Sequence, residues 1–241
     1  MLEAAVALVL LALLFLFTGS AQDAPEERAE RRGWAFAALA TLVLFIALRA
    51  LPQHLPGERL IGDLWDWSGP LLALAGVLAV MTLLVRRGLL DWRDAGLTLR
   101  QAPGSLPAAA GLTAATLGIN YLAMSLSSFR LPGVPLETWL YQATLPGLVE
   151  ETVFRGVLLA LAERAVARRH ARTEVVGARI GWGGLLVTLA FVSLHGLTLG
   201  ALLGVLPAAF LYLWLRLRTG SLLLPIVAHN LWNLSVYAAH L

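Results

Sequence analysis

The chain has 241 residues, 59% hydrophobic and 14% charged, with a formal net charge of +3 and a mean hydropathy of +0.76. Soluble domains carry about 45–50% apolar residues, so the composition excludes an ordinary soluble protein and indicates an integral membrane domain with short loops. The arginines are scattered between apolar stretches rather than gathered on one face, which argues against nucleic acid as a partner, and with no cysteine there is neither a disulfide framework nor a thiolate.

A bilayer span takes about 20 largely apolar residues. In chain order the sequence predicts eight, near 2–18, 34–51, 70–85, 105–126, 138–162, 181–195, 200–215 and 222–239. The expected fold class is therefore all-α, a polytopic transmembrane helical bundle. The first segment is expected to be an uncleaved span rather than a signal peptide, because Glu3 stands where a signal peptide carries positive charge. The stretch 89–100, "LLDWRDAGLTLR", reads either as an interfacial segment on the membrane surface or as an ordinary polar loop. At "HGLTLG" (195–200) one turn must separate two spans; a single long, broken helix there would reduce the count to seven.

The arginines alternate from loop to loop. Arg28, Arg31 and Arg32 follow the first span, Arg86, Arg87, Arg93 and Arg100 the third, five between Arg164 and Arg179 the fifth, and Arg216 and Arg218 the seventh. The intervening loops hold Arg59, with Arg49 at the edge of its span, and Arg130. By the positive-inside rule both termini lie outside the cytoplasm, in what is expected to be the plasma membrane.

Within the spans, "PGLVEETVFRGVLL" (146–159) sets three charges in apolar surroundings, where each costs about 2.5–3.5 kcal/mol even on the lenient insertion scale. Glu151 and Arg155 are four residues apart and share a helical face, so they can pair. Glu150 lies about 100° round the helix and needs another partner. "FVSLH" (191–195) puts His195 deep in a span, and "HNLWN" (229–233) puts His229 and Asn233 on one face. Such groups on three apolar helices imply either a polar cluster that fixes packing or a shared cavity able to activate water. His54, His170 and His240 fall in loops or at the terminus and are expected to be solvated. No His-Glu-x-x-His, no Gly-x-Ser-x-Gly and no Asp pair in the later spans offers another hydrolytic chemistry.

"EETVFR" (150–155), "FVSLH" and "HNLWN" together resemble, in order and spacing, the three motifs of the CPBP family of intramembrane proteases, also known as the CAAX protease and bacteriocin-processing or Abi family. The resemblance runs over about 105–240, leaving 1–104 as N-terminal spans without family signal and 105–241 as the expected catalytic core. It implies an intramembrane endopeptidase acting on membrane-associated substrates, prenylated or leader-bearing. Glu150 would be the general base, with His195, His229 and Asn233 polarising water and stabilising the oxyanion, and Glu151 and Arg155 organising the site. The family is often described as metalloproteases, and Glu150, His195 and His229 are an acceptable set for Zn2+; a metal-free glutamate mechanism is equally open. The rival expectations are a non-catalytic membrane partner or immunity protein that binds peptides in the same cavity, and a proton relay or transporter. The expected partners are the lipid bilayer and a membrane-associated peptide or protein.

Overall fold

The computed structural model describes residues 1–19, 23–54, 62, 64–126, 133–167, 170 and 172–239. Arg59, Arg130, Arg168, Arg169, His240 and part of the 18–21 stretch lie outside the described residues. Helix α1 (Leu2–Ala12) continues as a 3-10 turn to Phe17, and α2 (Pro25–Ala50) continues similarly to His54. Then come α3 (Ser68–Arg86), α4 (Leu106–Ser125), and a continuous rod made of α5 (Leu136–Glu151), a π-helical segment (Thr152–Leu158) and α6 (Leu159–Ala165). The chain finishes with strands β1 (Thr173–Val175) and β2 (Ala178–Ile180), then α7 (Trp182–Ser193), α8 (Leu199–Thr219) and α9 (Leu223–Ala238). Counting the rod once gives the eight expected helices. Four helical stretches among the described residues are long and apolar enough to cross a bilayer, Pro25–His54, Ser68–Arg86, Leu106–Ser125 and Leu199–Thr219.

Several boundaries have a local cause. Pro25 opens α2 at a position where its missing N–H costs nothing. Between α7 and α8, Gly196 takes a φ of 122° and Thr198 caps α8 by accepting a hydrogen bond from the Ala201 N–H. The chain therefore turns fully at "HGLTLG", and the seven-span alternative does not hold. Gly220, at φ 76°, ends α8. α7 has only 12 residues, about 18 Å at 1.5 Å per residue, so His195 stands in the turn beyond its end rather than deep in a span.

The bundle has two apolar cores. One joins α1, α2, α3, the rod and α7 through residues such as Leu11, Leu42, Val77, Phe154 and Phe191; the other joins α4, α8 and α9 around Tyr212, Trp214 and Leu215. Residues 89–100 form turns and no helix. They are strapped to α8 and α9, because Arg216 donates to Asp94 O at 2.7 Å and Leu222 N–H to Gly96 O at 2.9 Å. The β-hairpin is an addition to the all-α expectation, with its turn at Val176 and Gly177, both at positive φ. His170 packs edge-on against Phe17 at 5.2 Å, instead of standing free in solvent.

Candidate active site

The rod changes winding immediately after the two glutamates. A π turn carries about one extra residue and is commonly found at functional sites; here it contains Arg155. Upstream, Pro146 interrupts α5, since proline has no N–H for the helical ladder. One residue on, the Gly147 N–H donates to Asn230 Oδ1 at 2.8 Å, and Asn230 Nδ2 donates to Thr144 O at 3.3 Å. A Cβ on Gly147 would lie 2.6 Å from Ile226 O, so glycine is what lets α5 and α9 approach so closely. Asn230 thus clamps the broken helix four residues before Glu150. Asn230→Ala removes both of these bonds between buried groups, an expected loss of about 1–3 kcal/mol, read as a lower unfolding temperature in detergent; an unchanged temperature would contradict the clamp.

Glu151 and Arg155 form the pair that their spacing implied. Arg155 Nη1 lies 3.4 Å from Glu151 Oε1, with both side chains fully buried. Arg155 also donates to Ala209 O at 2.9 Å and sits over the Phe191 ring at 4.1 Å and the Tyr212 ring at 5.5 Å, an arrangement favourable to a guanidinium. Glu151 Oε1 in turn accepts from His229 Nδ1 at 2.7 Å, while Tyr212 stacks on the His229 ring with centroids 4.8 Å apart. The order is therefore Arg155, Glu151, His229, with each group held by the one before.

Glu150 faces the other way and has different partners. Its Oε1 lies 3.4 Å from Arg49 Nη1, and its Oε2 lies 3.4 Å from His195 Nε2 and 3.9 Å from His229 Nε2. His195 Nδ1 donates to Phe191 O at 3.0 Å. Phe191 O and the Glu151 carboxylate both accept and cannot donate, so each neutral imidazole carries its proton on Nδ1 and turns Nε2 toward Glu150. Asn233 does not touch Glu150. Its Nδ2 donates to Gln142 Oε1 at 2.9 Å, and it lines the same cavity, about 350 Å³, with Arg49, Glu150, His195 and His229. A second, more apolar cavity of about 280 Å³, lined by Phe45, Ile46, Phe154 and Leu194, shares Arg49, Glu150 and His195 with the first.

All six side chains singled out in the sequence thus meet in one region. Three others had no such signal. Arg49, in the last turn of α2, looked like a residue at the edge of a span. Gln142 and Asn230 are ordinary polar residues in apolar helices, recognisable only once α5 and α9 are seen packed together.

Glu150, His195 and His229 also stand together as the zinc reading requires. Among the described residues, however, no group of three His, Asp or Glu side chains is arranged to hold a metal ion. The chemistry derived below uses these side chains alone.

No curated protein and no solved structure matches the chain. Residues 132–235 match the model of the Rce1-like family, type II CAAX prenyl endopeptidases, a protease family with a helical membrane bundle. The matched segment contains Glu150, Glu151, Arg155, His195, His229 and Asn233, and Arg49 lies outside it. The match spans 104 of the 241 residues of this integral membrane protein, a stretch that is similar to the type II CAAX prenyl endopeptidases.

Proposed function

We propose that the protein is an intramembrane endopeptidase that hydrolyses peptide bonds of membrane-associated substrates, with Glu150 as general base. The observation that carries this reading is the convergence of two imidazole Nε2 atoms on the one carboxylate not taken up by Arg155. Acceptor atoms this close need a shared donor, and a water molecule lying beside them supplies two O–H groups. In that position one O–H points to Glu150 Oε2 and the other to an imidazole.

Glu150 takes a proton as the water oxygen attacks the scissile carbonyl carbon. The carbonyl oxygen becomes an oxyanion, which accepts a hydrogen bond from the Asn233 Nδ2 hydrogen not given to Gln142. The proton on Glu150 then passes to the amide nitrogen, the C–N bond breaks, and a carboxyl and an amine terminus leave. Arg155 and Glu151 hold His229 in the tautomer and orientation that this requires, as orienting partners do in triads. Arg49 holds the second oxygen of Glu150.

One oxyanion donor is typically worth about 10²–10³ in rate. Asn233→Ala is therefore expected to lower kcat by about that factor with KM little changed, measured on a membrane peptide in detergent. A change confined to KM would mean that Asn233 only binds substrate. The same preparation tests the zinc alternative by metal analysis: one equivalent of zinc in active protein would make Glu150, His195 and His229 ligands. The binding-partner alternative expects the site variants to keep whatever function the protein has.

A further inference from the structure

The two ends of the bundle differ in charge and in what they contain. Fourteen of the 18 arginines follow the first, third, fifth and seventh expected spans in the sequence, and those among the described residues gather at one end. Arg164 bonds Asp94 at 2.9 Å and stacks over Trp34, while Arg216 reaches Asp94 O. The hairpin joins them through the bond from Trp214 Nε1 to Val175 O.

The other end is arginine-poor and aromatic. Trp65 stacks on Tyr141 at 4.7 Å, Trp67 meets the same ring edge-on at 5.2 Å, and Trp139 packs against Tyr237. Tryptophan and tyrosine in such numbers mark a membrane interface. The site lies toward this end. Arg49 is the penultimate residue of α2, His195 stands just past the end of α7, and Asn233 is in the second-last turn of α9. From Glu150 the larger site cavity continues along Gln142, Tyr141, Trp65, Val236 and Tyr237, and among the described residues no arginine of the other end lines it.

Arginine-rich loops stay in the cytoplasm, and the catalytic cavity runs to the opposite end. We propose that the cavity opens on the non-cytoplasmic face of the membrane, and that its substrates are peptide segments translocated to or exposed on that face. A lipidated C-terminus made in the cytoplasm would meet the arginine-rich end, away from the catalytic cavity. The substrate class rests on the endopeptidase reading above, whereas the direction of opening does not.

The absence of cysteine makes the direction measurable. Single-cysteine variants of the full chain are made at Gln53 and Val236, toward the arginine-poor end, and at Arg87 and Glu174, toward the arginine-rich end, and sealed cells are treated with a membrane-impermeant maleimide. Gln53→Cys and Val236→Cys are expected to label in intact cells, and Arg87→Cys and Glu174→Cys only after permeabilisation. Gln53 and Glu174 are both solvent-exposed, so neither substitution perturbs packing, and their pair decides the orientation even if Val236→Cys folds poorly. The reverse pattern, or labelling of both ends in intact cells, overturns the proposal. So does labelling at Gln53→Cys while folded Val236→Cys stays unreactive, because the cavity would then be closed on that face. Labelling needs no proteolysis, so a failure here is separate from a failure of the endopeptidase reading, which detergent assays address.

Discussion

Glu150→Gln is expected to lower kcat for peptide hydrolysis by about 10²–10⁴, the usual worth of a positioned general base, while the protein remains folded. The carboxamide has the shape of the carboxylate and keeps an oxygen for Arg49, but it cannot take a proton from water. Glu150 is the critical carboxylate because of where its neighbour is committed. Glu151 is wholly buried, with Oε1 shared by Arg155 and His229, whereas Glu150 lines both cavities. Steady-state kinetics on the purified variant, with helicity and unfolding temperature matched to wild type, measure the effect. A folded variant within a few-fold of wild type would remove Glu150 from the chemistry.

Arg155→Ala is expected to be the most destabilising single change in the site. It leaves the Glu151 carboxylate buried with only His229 beside it, and removing one member of a buried ion pair typically costs about 3–5 kcal/mol. It also removes the bond to Ala209 O and the guanidinium between the Phe191 and Tyr212 rings. For a chain of this size such a loss corresponds to a drop of roughly 10 °C in the unfolding temperature. Arg155→Lys keeps the charge but not the planar fork, so it should fall between. A double replacement, Glu151→Gln with Arg155→Met, should recover much of the stability, since no lone charge remains, while activity stays low because His229 loses its anchor. If Arg155→Ala unfolded at the wild-type temperature, the pair would have no structural weight.

Hydrophobic stretches fixed the helices well because bilayer thickness demands long apolar runs, and the ends of α3 and α4 fall within two residues of the expected ones. Windows of hydropathy do not see caps, however, so the amphipathic start of α2 at Pro25 and the shortness of α7 emerged only from the structure. Motif residues were legible for a different reason. A charge, an imidazole or a carboxamide in hydrocarbon demands an explanation, and several together narrow it.

What could not be read was which distant groups answer that demand. Arg49 is separated from Glu150 by 101 residues, and no local pattern distinguishes it from an arginine anchoring a span at the interface. The π segment has no sequence signature comparable to a proline or a glycine cap, and the hairpin turn uses Val-Gly rather than the usual Asn-Gly. Asn230 illustrates the same limit. Its value lies in its bonds to the Gly147 N–H and the Thr144 carbonyl of α5, which become visible only when α9 is laid against α5.

The most direct test of the central claim is cleavage of a membrane-associated peptide by purified protein in detergent, followed by mass spectrometry, with wild type beside Glu150→Gln and His229→Ala, each shown to be folded. The account predicts two fragments from wild type, whose masses sum to that of the peptide plus one water, with product from both variants reduced at least a hundredfold. Equal cleavage by all three proteins would contradict it.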